Sequence, residues 1–253
     1  MADHTHHQLH HTHHHHDPVD FNHGHHHHHG DGKDYAAANR DYFDEKAKEY
    51  DAVPGAQEAA RRIVRAILEA YGDLFKEDST TVLDYACGTG LISRELCSHV
   101  NTILGVDISQ GMVDQYNLRV TNQGIPPEEM HAIRAELKGE DTELDGKKFD
   151  VIVCSLAYHH FENIQTTTKI LTTFLKPGGS LIVADIFKDG EGNKLLQHAG
   201  DRVPHQAGFS KEDMLSTFEG AGLGEFSMKN AAKAAIHGVE LQFFVSRGVK
   251  PAA

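Results

Sequence analysis

The sequence predicts an α/β fold: a seven-stranded, mostly parallel sheet with helices on both faces and a last strand running antiparallel. Three observations predict it. From residue 81 onward, short β-branched runs alternate with helical stretches, which is the sequence form of a parallel sheet joined by crossover helices. The chain then ends on a helix followed by two strand-like runs with no helix between them, which calls for a closing antiparallel pair. Finally, the first strand runs into a turn of small residues, the place where open α/β sheets bind ligands.

Residues 1–34 are low-complexity. Of the 22 histidines in the 253-residue chain, 15 lie between His4 and His29, mixed with Thr, Asp and Gly, and almost nothing there can be buried. Such composition predicts a disordered tail. Its runs, His13–His16 and His25–His29, suit loose, pH-dependent binding of zinc, nickel or copper. A tolerated extension without a role fits them equally well. Residues 35–253 form the single folded domain. Ala36–Tyr50 reads as a helix carrying Tyr42, Phe43, Ala47 and Tyr50 at helical spacing. Pro54-Gly55 breaks it, and Ala56–Phe75 is a longer amphipathic helix; residues 35–76 together are expected to form a helical lid. The strands follow at Thr81–Tyr85, Thr102–Val106, His131–Ala135, Phe149–Cys154 and Ser180–Ile186. Helices at Leu91–His99, Gly111–Gln123 and Asn163–Leu175 separate most of them. Lys211–Ala221 is the last helix, and Gly224–Met228 and Val239–Arg247 are the closing strands.

Composition excludes several classes of function. The formal charge of −13 repels a phosphate backbone, so a nucleic-acid partner is disfavoured. No apolar run approaches the roughly 18 residues that a membrane span needs, and the N-terminus lacks a signal-peptide core. Three cysteines (Cys87, Cys97 and Cys154) without CxxC spacing fit reduced thiols in a cytoplasmic protein.

The first strand ends in Asp84-Tyr85-Ala86-Cys87-Gly88-Thr89-Gly90. Small residues at Ala86, Gly88 and Gly90 let the backbone pass close to a ligand. Asp84, at the strand end, suits a cationic amine, reached through the loop or an ordered water. Asp107, 23 positions later at the end of the second strand, suits the two hydroxyls of a ribose. A hydride-transfer enzyme also wants a glycine turn and an acid about 20 positions on. Here, however, the third glycine of GxGxxG would fall on Ser93, and an aspartate beside a pyrophosphate serves no purpose.

The stretch VLDYACGTG (Val82–Gly90) resembles motif I of the class I S-adenosylmethionine-dependent methyltransferases, commonly VLDLGCGTG, in their small-molecule branch. Further similarities follow in order. GVDIS with Met112 resembles the second motif, which implies Asp107 on ribose and Ile108 and Met112 beside adenine. Arg134-Ala135-Glu136 resembles the third, which implies that its acid reaches the adenine amino group. FDVIVCSLAYHHF (Phe149–Phe161) resembles the fourth, and implies that Ser155 meets the cofactor. LKPGGSLIVAD (Leu175–Asp185) resembles the turn beyond it, and GFSKEDMLSTFEGAGL and HGVELQFFVSRG resemble the end of that branch. The resemblance covers residues 36–248. It implies a Rossmann-like methyltransferase sheet, S-adenosyl-L-methionine as methyl donor, and S-adenosyl-L-homocysteine as product. Two positions depart from the pattern. Ala86 replaces the usual glycine, a change the turn tolerates if φ is negative there, and Glu136 replaces the commoner Asp.

Methyl transfer asks the protein to align a nucleophile, exclude water and, for a hydroxyl or protonated amine, take a proton. Candidate bases follow the fourth strand, at His159 and His160, beside Tyr158. At least one of the pair is expected to pack beneath the sheet on a backbone carbonyl. His205, in a segment expected to cover the pocket mouth, is a third candidate. Cys154 reads as a small buried hydrophobe. Among the lid aromatics, Tyr50 is the expected cofactor contact, while Tyr42 and Phe43 serve equally well as a docking stripe. The Asn/Asp-Pro-Pro-aromatic turn of base-methylating enzymes is absent, which points to a small-molecule acceptor at O, N or S. The alternative is a catalytically silent methyltransferase-like subunit that binds a partner or senses metal through its tail.

Overall fold

The computed structural model describes residues 33–188, 196 and 202–252. Apart from Lys33 and Asp34, the histidine-rich tail lies outside the described residues, and so do its expected disorder and metal binding. The sheet has seven strands: β1 (Thr81–Tyr85), β2 (Thr102–Asp107), β3 (Met130–Arg134), β4 (Phe149–Ser155), β5 (Leu175–Ile186), β6 (Gly224–Ile236) and β7 (Val239–Val249), in the order β3-β2-β1-β4-β5-β7-β6. β1 to β5 pair in parallel, and β7 runs antiparallel to both β5 and β6. The predicted class holds, with β7 as the reversed strand. Strand order reverses between β1 and β4, so the crevice opens at their C-terminal ends, where Tyr85 and Ser155 stand.

Among the described residues, six helices with defined bounds flank the sheet: α1 (Tyr35–Lys46), α2 (Ala56–Tyr71), α3 (Leu91–Leu96), α4 (Gln110–Asn122), α5 (Ile164–Thr173) and α6 (Lys211–Gly220). Their starts follow from capping side chains. Asp34 accepts from Ala37 N, Ser109 from Met112 N and Asn163 from Thr166 N, while Ser210 and Asp213 close a reciprocal box.

The first helix stops at Lys46 rather than Tyr50, and Tyr50–Ala52 forms a separate 3-10 turn ahead of Pro54-Gly55. The expected lid, residues 35–76, therefore divides. α2 buries Ala59, Ala60, Ile63, Val64, Ile67 and Tyr71 in the core on one face of the sheet, as its 3.6-residue periodicity requires, so it is a wall and not a lid. Within residues 35–76, α1 and the turn after it bring Tyr35, Asn39, Phe43 and Tyr50 to the crevice, and α2 adds Ala56 and Ala60 at its start. β6 runs to Ile236, well past the expected Met228, because β7 pairs with it along that length through two register shifts.

Candidate active site

The cavity above β1 and β4 measures about 560 Å³, within the usual range for small-molecule sites. Among the expected cofactor residues, Tyr50, Asp84, Ala86, Gly88, Asp107, Ile108, Met112, Ala135, Glu136 and Ser155 all line it. Gly90 does not. It caps α3 at φ +85°, and a Cβ there would lie 2.7 Å from the Tyr116 ring, so packing within the protein requires this glycine. Gly88 differs, since a Cβ on it would meet open space.

Two buried carboxylates organise the floor. Asp84 accepts from Ser93 Oγ at 2.6 Å, and burial followed by the nearby Asp107 pushes its carboxyl up to about 7. Ser93 stands where a dinucleotide turn would place its third glycine. Here it holds an acid. Asp107 accepts from Gly88 N at 2.8 Å on one oxygen and from Ser109 N at 2.9 Å on the other, and burial raises it above the usual carboxylate range. Each oxygen has a second lone pair, so the carboxylate shapes the turn and can still accept from a ligand.

The tolerance expected of Ala86 rested on a negative φ, and that was wrong. Its φ is +57°, the left-handed region. Leu156, just past β4, has φ +53°. Both line the cavity, so two strained residues sit on the two strand ends that frame it. Ser155 Oγ, on the same rim, is buried with no partner among the described residues. Glu136 is exposed and pairs with Lys138. The donor set fits S-adenosylmethionine: buried acids for an amine and a diol, open space at Gly88, and an unpaired hydroxyl at Ser155.

The three candidate histidines separate. His160 lines the cavity, and its Nδ1 bonds the Arg202 carbonyl at 3.1 Å. Burial, with His159 beside it, lowers it to about 3, so it is neutral at pH 7. His159 is buried away from the cavity lining, its Nδ1 2.7 Å from Asp185 Oδ1, so a carboxylate holds the buried member of the pair and the expected carbonyl bond falls to His160. His205 does not line the cavity among the described residues. Its backbone N–H reaches His159 O at 3.4 Å and its ring packs tilted against Phe209, 5.1 Å between centroids, so it braces the loop beside His159. Cys154 is fully buried, and burial raises its thiol.

The lid is latched at several points. Asp44 Oδ1 accepts from Ser109 Oγ (2.6 Å) and Gly111 N (2.8 Å), which ties α1 to the start of α4. Asp51 pairs with Arg119 at 2.9 Å and accepts from Thr89 Oγ1, while Arg119 donates to Thr89 O, so the turn after α1 is clamped to the glycine loop. Tyr42 stacks on the Arg202 guanidinium, 3.5 Å from its ring centroid, whereas Phe43 lines the cavity edge-on to His160. Nothing in the sequence pattern singles out Asn39, Asp44, Asp51 or Arg202, because their partners are distant in the chain. Asp185 did carry a signal: an acid at a strand end, like Asp84 and Asp107.

Residues 82–179 match the model of a methyltransferase domain. An uncharacterized methyltransferase of Schizosaccharomyces pombe is 37% identical over 169 residues, 64% of this chain and 60% of that one. A malonyl-[acyl-carrier protein] O-methyltransferase of Priestia megaterium is 27% identical over 71% of this chain and 65% of its own. The chain thus spans less than two thirds of the length of these relatives. A solved magnesium protoporphyrin IX methyltransferase of Synechocystis PCC 6803, with bound S-adenosylhomocysteine, shares the fold at a TM-score of 0.62 and 19% identity, over 85% of this chain and 99% of that one.

Proposed function

The matched domain and the seven-stranded fold place the chain in the class I S-adenosylmethionine-dependent methyltransferase family, and from that premise we propose that it methylates a small molecule at O, N or S. The observation that carries this reading is the pair of buried acids, Asp84 and Asp107, on adjacent strand ends around the glycine turn. When bound, S-adenosylmethionine supplies an electrophilic methyl on a sulfonium. Asp84 would hold the amine of the methionine moiety, and Asp107 the ribose hydroxyls. Ile108 and Met112 form the apolar wall for adenine, and Tyr50 covers the site. α1, latched through Asp44, keeps water out.

The acceptor enters beside His160, the one candidate base that lines the cavity. Its Nδ1 donates to Arg202 O, so Nε2 carries a lone pair; with basicity lowered by burial, that lone pair accepts a hydrogen bond that orients the acceptor and does not carry off its proton. The Priestia megaterium relative is an O-methyltransferase, which supports oxygen first among the three atoms. Calorimetry with S-adenosylhomocysteine tests the whole reading, with micromolar binding expected. A folded protein that does not bind it would leave only the silent-subunit alternative.

A further inference from the structure

Two cavity side chains that meet on one backbone oxygen are not used by the cofactor. Asn39, on α1, is 4% exposed. Its Nδ2 donates to the carbonyls of Tyr35 (2.9 Å) and Arg202 (3.0 Å). Both partners are acceptors, so the amide can face them only with its nitrogen. Oδ1 is left buried, with no hydrogen-bond partner among the described residues. The same Arg202 carbonyl receives His160 Nδ1 at 3.1 Å. That bond fixes the ring proton on Nδ1 and leaves a lone pair on Nε2. Arg202 is seated in turn by its guanidinium over Tyr42.

The cavity lining therefore includes two side chains with uncharged acceptors, both oriented by one carbonyl, and Asn39 Oδ1 has no donor among the described residues. A buried unpaired acceptor costs about 1–3 kcal/mol, which a ligand's donor would recover. A carboxylate ligand has no donor to offer, and the cation on the lining, Lys138, is already paired with Glu136. A cation would have to shed its water at this buried end of the lining, where desolvation already keeps a proton off His160, while the acids Asp34 and Glu162 stand at the exposed rim. Phe43 and Phe161 add apolar wall on the same side, Phe43 edge-on to His160 at 5.4 Å.

We propose that Asn39 Oδ1 and His160 Nε2 form the methyl-acceptor subsite and select an uncharged, hydroxyl-bearing ring, an inference that rests on the transferase reading above. The subsite explains why a polar asparagine occupies the buried position of α1, where a docking helix would carry an apolar residue. Asn39 and His160 act together because one carbonyl orients both.

The test uses the full chain saturated with S-adenosylhomocysteine and four matched probes: p-cresol, 4-methylanisole, 4-methylbenzoate and 4-methylbenzylamine. By calorimetry p-cresol should bind about tenfold more tightly than its methyl ether, the worth of roughly one hydrogen bond to a buried acceptor. The benzoate and the ammonium should bind more weakly still. In Asn39→Leu the preference for phenol over ether should fall towards unity. Equal binding of phenol and ether by the wild-type protein, tightest binding of either charged probe, or no binding of any probe would overturn the subsite. Nitrogen NMR of labelled histidine gives a readout that needs no variant. His160 should appear as the neutral Nδ1–H tautomer, and its Nε2 signal should move on adding p-cresol but not 4-methylanisole. An Nε2–H tautomer would refute the assignment even if Asn39→Leu fails to fold. Failure to bind S-adenosylhomocysteine at the outset sinks the transferase reading, whereas the probe results sink the subsite alone.

Discussion

The two halves of the cavity are built in different ways. The floor is made of strand ends and one turn, and its acids are held by donors only a few residues or one crossover away: the Gly88 and Ser109 backbone N–H groups on Asp107, and the Ser93 hydroxyl on Asp84. The roof is a single helix tied down by side chains whose partners are far off in sequence. Asp44 reaches across 67 positions to Gly111, and Asn39 across 163 to Arg202. A floor of this kind is positioned by the sheet ladder whether or not a ligand is present. The roof can be released by breaking a few exposed or half-buried bonds. Binding of the donor should therefore depend on the floor, and residence time and acceptor choice on the roof.

The largest expected effect tests the floor. Asp107→Ala should weaken S-adenosylhomocysteine by well over tenfold, because it removes the ribose acceptor and also strands two backbone N–H groups, with charged hydrogen bonds worth about 1.5–3 kcal/mol each. Calorimetry decides it, and affinity within twofold of wild type would break the assignment of this acid to the ribose.

The next effect is a pH dependence. The Asp84 carboxyl is pushed up to about 7, so in the free protein it is neutral below that pH and ionised above it. A cationic amine pairs with the ionised form, so binding should weaken as pH falls below about 7, by up to about tenfold per unit, and level off above it. Asp84→Asn should bind more weakly at pH 8 and lose the slope. The sign for stability is opposite. An acid whose folded pKa is raised loses stability as pH rises from its unfolded value to about 7, so ligand-free Asp84→Asn should melt above wild type at pH 8 and close to it at pH 4. Parallel melting curves across that range would show that Asp84 is not the titrating group.

A smaller effect tests the roof. Asp44→Ala removes the acceptor for Ser109 Oγ and Gly111 N at an exposed position, a loss of about 1 kcal/mol at a helix start. Release of S-adenosylhomocysteine in stopped flow should accelerate about fivefold, the kinetic equivalent of that loss. An unchanged off-rate would mean that the latch to Arg119 through Asp51 holds α1 without help.

The contrast between floor and roof also explains what could be read from the sequence. Strand alternation, Asp84 and Asp107 were legible because spacing along the chain fixes their positions in a parallel sheet. The division of the N-terminal helices was half legible: α2 shows a clean apolar stripe, but the same stripe fits a lid or a core wall until β6 is seen to pack against it. His159 and His160 are neighbours with one pattern and two fates, set by Asp185 and by Arg202, whose proximity no local pattern encodes. Gly90 was legible as a needed glycine but not for its reason, since the colliding ring belongs to Tyr116 on α4.

The smallest effect concerns the residue at which the expectation failed. Ala86 holds φ +57° on the cavity floor, where an L side chain costs about 1–2 kcal/mol. Replacing it with glycine removes that cost but adds backbone freedom to the unfolded chain, a loss of about 0.5–1 kcal/mol. The first figure is the larger, so Ala86→Gly should be stabilising by roughly 0.5–1 kcal/mol, a rise of a few degrees in Tm for a domain of this size. The methyl is retained against that gain, and its place beside Gly88 suggests why: it fills part of the floor against which a ligand rests. If so, Ala86→Gly should melt higher alone yet bind S-adenosylhomocysteine about fourfold more weakly, about the worth of one buried methyl. A variant that melts higher with unchanged affinity would leave Ala86 as strain without a function, and one that melts lower would show that the turn is relaxed at positive φ by contacts within the loop.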